Sequence, residues 1–266
     1  MTPAPRKGIA LESLTWPEAE ALFRRTPAPL IVLPVGARTK EHGLHLPLNN
    51  DWILTEYLLM RVLDALPVVA LPGIPYGYYP AFLEYPGSVS LRREVFRDVV
   101  VDICTSISRH GPGKFYVLNT GVSTNWSLEP ARAELARLGI HMEYTNLVAA
   151  LSDAERSVVE QEAGSHADEI ETSMMLYIAP EIVKLGLARR DIHPERDEAN
   201  PGGLTRDPDA ARGTYSPTGA WGDPTLATVD KGRVVAEALV SHIVDFLERF
   251  ARPDFTPTPP LSRYLG

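Results

Sequence analysis

Leu30-Ile31-Val32-Leu33, followed by Val35-Gly36-Ala37-Arg38-Thr39-Lys40-Glu41-His42-Gly43-Leu44-His45-Leu46-Pro47-Leu48-Asn49-Asn50-Asp51, is the stretch that decides the reading of this chain. The apolar run has the length and residue types of a buried strand. The polar segment after it offers a carboxylate, two imidazoles and a second carboxylate: Glu41, His42, His45 and Asp51. Those are the side chains preferred by a divalent metal of the zinc or manganese type. They lie just beyond a strand's carboxyl end, where open α/β sheets place their ligands. On spacing alone the same residues also read as a polar loop before a helix, with Asp51 as its N-cap.

Outward from that strand, helical and strand patterns alternate. Thr15-Trp16-Pro17-Glu18 has the form of a capping box with proline in the first turn, so a helix is expected to about residue 25. Thr26-Pro27-Ala28-Pro29 then breaks the chain ahead of the strand. Apolar spacing predicts a helix over 52–66, a strand over 68–71, a helix over 92–110 and a strand over 115–118. A helix over 130–138 and a strand over 141–147 follow, and a last helix covers 234–250. The expected fold is α/β: a single domain over 1–266 with a mostly parallel central sheet covered on both faces. Segments 1–10 and 252–266 are expected to be extended tails. The segment 197–224, rich in Pro, Gly, Asp and Arg, reads as a long ordered loop.

With 266 residues, 44% of them hydrophobic, the chain can bury a substantial core. Its net charge of -8 leaves no basic excess for nucleic-acid phosphates. The single cysteine, Cys104, sits in an apolar helical pattern, where it reads as a small core residue. A reducing, cytoplasmic compartment fits that usage. No apolar run approaches the ~20 residues that span a bilayer, and the N-terminal residues lack the apolar core of a signal peptide. Neither nucleic acid nor membrane is expected as a partner.

A second informative stretch is Gly164-Ser165-His166-Ala167-Asp168-Glu169-Ile170-Glu171-Thr172-Ser173-Met174-Met175-Leu176. It reads as the entry to a buried helix. Asp168 and Glu169 suit capping of its positive end. Glu171 on an inward face needs a partner, because an unpaired buried carboxylate is very costly. His166 beside it has the chemistry of a general acid or base near neutral pH. The aromatic loop Gly73-Ile74-Pro75-Tyr76-Gly77-Tyr78-Tyr79-Pro80 either packs at a subunit contact or walls a pocket; Tyr79 and Trp221 have the flat faces that would stack on a ring-shaped small-molecule substrate. His110, just before a helix-ending glycine, reads as sitting against the helix's C-terminal dipole. His141, His193 and His242 have no chemical neighbours in sequence and read as structural or exposed.

With these pieces assembled, the chain resembles the creatininase (creatinine amidohydrolase) family. The matching motifs are Leu33-Pro34-Val35-Gly36, His42-Gly43-Leu44-His45-Leu46-Pro47 with Asp51, Tyr85-Pro86-Gly87-Ser88-Val89-Ser90-Leu91, His166-Ala167 with Glu171-Thr172-Ser173, and Gly222-Asp223-Pro224-Thr225-Leu226-Ala227-Thr228 with Lys231-Gly232. The resemblance implies a three-layer α/β/α domain, a homo-oligomer such as a hexamer, and divalent metal at the strands' carboxyl ends. It also implies hydrolysis of a C–N bond in a cyclic or small non-peptide amide, with metal-activated water as nucleophile.

By the same resemblance His42 and Glu171 are metal ligands, Asp51 is a metal-bridging carboxylate, and His166 transfers the proton. His45 would orient a ligating carboxylate. Two departures stand out. The family's first ligand, a Glu two residues before its His, is Lys40 here, with Glu41 adjacent; Glu41 reaches the metal only if the loop is rearranged. The family's Asn-Gly-His-Gly-Gly-Asn after the third strand is Gly121-Val122-Ser123-Thr124-Asn125, with Val122 near the ligating His position and Ser123 and Thr124 as weak substitutes. The expected cofactor is therefore zinc, manganese or iron, one or two ions per chain. The alternative is a non-catalytic relative that binds a small molecule or serves as an assembly subunit, with the Lys40 ammonium where a cation would sit.

Overall fold

The computed structural model describes residues 6–193, 203–210 and 212–264. Five strands form one parallel sheet: β1 (Ile9–Ala10), β2 (Ile31–Val35), β3 (Val69–Ala70), β4 (Lys114–Asn119) and β5 (His141–Tyr144). Their order across the sheet is β1-β3-β2-β4-β5. Between them run α1 (Trp16–Phe23), α2 (Asn50–Ala65), α3 (Arg93–Ser108) and α4 (Asn125–Arg137), and after them α5 (Leu147–Arg156), α6 (Glu169–Ile178) and α7 (Val229–Ala251). Two short strands, β6 (Leu204–Thr205) and β7 (Thr214–Tyr215), pair in parallel outside the main sheet.

Alternating side chains of the central strands feed two cores. Val32, Tyr116 and Leu118 face Leu58 of α2, Met175 of α6 and Leu239 of α7. Ile31, Leu33, Phe115 and Val117 face Phe96 and Cys104 of α3 and Leu128 of α4. The result is the expected three-layer α/β/α arrangement. Pro34 is tolerated in the central strand because its face toward β3 lies past that strand's end, where its carbonyl accepts from Ile74 N–H. Val35 pairs in register with Asn119, so the segments leaving β2 and β4 emerge side by side.

Several boundaries differ from the sequence reading, each for a physical reason. Ile9 and Ala10 add a strand to the sheet edge instead of trailing as a tail, anchored by Gly8 N–H on Leu63 O. Helix α4 begins at Asn125 and carries Pro130 inside it. Proline there leaves the Trp126 carbonyl without its helical donor, and Arg93 Nε supplies one at 2.8 Å. Strand β5 stops at Tyr144, and the chain turns into α5, which periodicity did not reveal. Asn49, not Asp51, is the N-cap of α2. The C-terminal segment is tied down: Arg132 Nη1 donates to Thr258 O, Thr258 N–H donates to Glu143, and Tyr264 is buried. Of the segment 197–224, residues 197–202 and 211 lie outside the described residues.

Candidate metal centre

The site begins at Gly36, where the chain leaves β2. A Cβ at this position would lie 2.2 Å from Thr55 Oγ1 and 2.9 Å from Asp51 O, so only glycine lets the first turn of α2 abut the strand end. That contact brings Asp51 over the sheet. The intervening loop folds back on itself through Lys40 N–H on Leu48 O and Trp52 N–H on Ala37 O. It delivers Lys40, His42 and Asp51 to one buried point.

Asp51 is engaged at both oxygens. Oδ1 lies 2.8 Å from His42 Nε2, and Oδ2 lies 2.8 Å from the Lys40 ammonium. Burial alone would raise this carboxyl, but Lys40 and His42 together hold it well below the usual carboxylate range. The Lys40 ammonium also sits over the rings of Phe82 at 5.0 Å and Tyr79 at 5.5 Å.

His166 arrives from a segment far along the chain. Its backbone is pinned in an antiparallel bridge to Trp221, with Trp221 N–H on His166 O at 2.8 Å. Ala167 then takes a left-handed conformation, φ 47°, and its N–H donates to Glu171 Oε2 at 2.6 Å. Asp168 caps α6, accepting from the N–H groups of Ile170 and Glu171. Burial, followed by the charge of Glu171, pushes Asp168 up to about 7. Glu169 turns away to the Lys231 ammonium at 2.6 Å.

The tautomers of both histidines follow from their partners. His42 Nδ1 lies 2.9 Å from Lys40 O, which can only accept, so Nδ1 carries a hydrogen. Nε2, 2.8 Å from Asp51 Oδ1, shares a proton with that carboxylate and would present its lone pair only once a metal displaces the proton. His166 Nε2 lies 3.0 Å from Glu41 O and 3.2 Å from Glu41 Oε2, so it is the donor there. Its Nδ1 is left facing Glu171 Oε2 at 3.7 Å. Each imidazole therefore donates one N–H to a backbone oxygen and turns its other nitrogen toward a carboxylate. That is the orientation of a metal-ligating histidine. A nitrogen facing a carboxylate calls for a shared proton or for a cation that both ligate.

Ligand atoms of His42, His166 and Glu171 all lie within 4.8 Å of one another. Glu171, with its side chain 25% exposed, is the most open of the three. This donor set, two imidazoles and a carboxylate, fits a borderline divalent metal. Asp51 stands beside this trio through His42. Glu41 contacts it through His166, and its other oxygen accepts from Gly43 N–H.

The remaining sequence candidates are placed differently. His45 bonds through Nε2 to Thr172 Oγ1 at 2.7 Å instead of a carboxylate, and burial lowers it to about 4. Tyr79 is buried, its ring meeting Lys40 instead of open space. Ser123 Oγ donates to Tyr78 O and Thr124 Oγ1 to Asn119 Oδ1, so both hydroxyls are spent on the local turn. Val122 is 45% exposed. Sequence reasoning missed Phe82, whose ring lies 4.3 Å from that of His166 and 5.0 Å from the Lys40 ammonium; its place two residues after the aromatic loop was the available signal. Cys104 is buried in the core, and burial pushes its thiol up to about 12. Among the described residues no helix is long and apolar enough to cross a membrane.

The chain is 28% identical to creatinine amidohydrolase from Pseudomonas putida, covering 95% of this chain and 99% of that protein. It is 26% identical to 3-dehydro-scyllo-inosose hydrolase from Thermotoga maritima, over 96% and 89% of the two chains. Against the mycofactocin precursor peptide peptidase of Mycobacterium ulcerans it is 28% identical over 87% of each. A crystal structure of creatininase superposes with a TM-score of 0.75 at 25% identity, covering 95% of this chain and all of that one. A mutant creatininase of the Zn-Zn type (24% identity, 92% and 99% coverage) and a creatininase Mn structure (24%, 92% and 100%) share the fold at TM-scores of 0.75. A family model for creatininase, described as creatinine amidohydrolase, matches residues 12–247. Most of the chain thus follows one pattern from α1 into α7, and the protein belongs to the creatininase family.

Proposed function

We propose that this chain is a metal-dependent hydrolase acting on a C–N bond of a small amide, with the metal held by His42, His166 and Glu171. The observation that carries this reading is the convergence of two correctly oriented imidazoles and a carboxylate within 4.8 Å. A divalent ion bound there supplies an acidified water and polarises an amide carbonyl. Lys40 O and Glu41 fix the two rings, and Glu171 offers the side from which a substrate approaches. This reading moves His166 from proton carrier to ligand, because its Nε2–H is already committed to Glu41.

The relatives named above include hydrolases of a small molecule and of a precursor peptide, so the substrate panel must span both. Untagged protein loaded with zinc or manganese is expected to hydrolyse a cyclic amide or a short peptide, and Glu171→Gln to lose metal and turnover together. Metal-loaded protein inert toward the whole panel would favour a second reading, a non-catalytic family member that binds a small molecule. The Lys40–Asp51 ion pair and the exposed Val122 are the observations on its side.

A further inference from the structure

Asp51 is buried beside the proposed centre, and its two oxygens have different fates. Oδ1 meets His42 Nε2, on the side of the three converging ligands. Oδ2 faces away and ends on the Lys40 ammonium. The residues that stand where the family's further ligand is expected supply neither imidazole nor carboxylate. The hydroxyls of Ser123 and Thr124 are engaged by Tyr78 O and Asn119 Oδ1, and Val122 offers no donor. The Phe82 and Tyr79 rings close around the ammonium and hold it by their negative faces.

We propose that Lys40 is a built-in cation, standing where a second metal would otherwise bind Asp51, and that the centre therefore takes a single divalent ion at His42, His166 and Glu171. This rests on the metal-binding reading above. A fixed ammonium on Oδ2 neutralises Asp51 and repels a dication approaching the same oxygen. Lys40 is thus a positioning residue: it holds Asp51 against His42 Nε2, on the opposite side of the ring from Lys40 O. This differs from a centre of the Zn-Zn type, described for a creatininase of the same fold.

Zinc stoichiometry tests it without reference to catalysis. Untagged protein, stripped and dialysed against excess zinc, is expected to retain about one equivalent per chain, and Lys40→Glu, which replaces the ammonium by an oxygen donor, about two. Circular dichroism after refolding with and without zinc reports whether the variant is folded. A wild-type value of two, or a folded Lys40→Glu that stays at one, overturns the proposal and leaves the hydrolase reading standing. A wild-type value of zero overturns both. Should Lys40→Glu not fold, the wild-type value alone decides.

Discussion

The Lys40 ammonium and Asp51 Oδ2 lie 2.8 Å apart with 6% and 2% of their side chains exposed. A buried pair of this kind costs much desolvation to assemble, and removing one partner strands the other. Asp51→Ala is therefore expected to destabilise the fold by about 3–5 kcal/mol, whether or not metal is present. The double variant Lys40→Met/Asp51→Ala should be more stable than Asp51→Ala alone, because no charge is left orphaned. Urea unfolding of wild type, Lys40→Met, Asp51→Ala and the double variant checks this. Additive losses would show that the two groups do not depend on each other.

Gly232 explains one motif that has no chemistry of its own. A Cβ there would lie 1.8 Å from Ser173 O and 2.4 Å from Ser173 C, at the crossing of α7 with α6. The obstacle is backbone, so the helices themselves must separate. Gly232→Ala is expected to cost about 1–3 kcal/mol despite the higher helix propensity of alanine. Because α6 carries Glu171, metal affinity should fall as well. A variant as stable as wild type in denaturant would contradict the close helix contact.

Acid titration should separate two buried groups that act in opposite directions. His45 is lowered from 6.5 to about 4, chiefly by burial, so the folded state resists its protonation. Its contribution is complete above pH 6.5 and is lost as pH falls through that window toward 4. Asp168 is raised from 3.8 to about 7, again chiefly by burial, so its contribution is present at low pH and is lost as pH rises through 7. The stability difference between wild type and His45→Gln should therefore shrink from pH 6.5 to 4, and that between wild type and Asp168→Asn should grow. Parallel curves for all three proteins, measured without added metal, would contradict these environments.

The layered fold was legible because its signals are local. Strand β2 is an unbroken apolar run, and Thr15 with Glu18 does form the capping box. What escaped depends on distant partners. Pro130 looked like a helix start because proline is welcome there, and nothing near it in sequence announces that Arg93 will satisfy the Trp126 carbonyl. Strand β1 has two residues, too few for any periodicity.

The same division runs through the site. His42, His166 and Glu171 were nameable from residue chemistry and motif resemblance. Their tautomers were not, since these are set by Lys40 O and by Glu41, groups whose direction only the folded loop defines. Adjacent side chains in an extended segment point apart. Lys40 and Glu41 do so here, one toward Asp51 and the other toward His166.

The central claim is that a divalent ion sits between His42, His166 and Glu171. Anomalous diffraction from crystals of untagged protein grown with manganese or zinc measures this directly. The predicted map has a peak in ligating contact with His42 Nε2, His166 Nδ1 and a Glu171 carboxylate oxygen. A map with no peak at those atoms under saturating metal, or with the ion bound elsewhere in the chain, would contradict it.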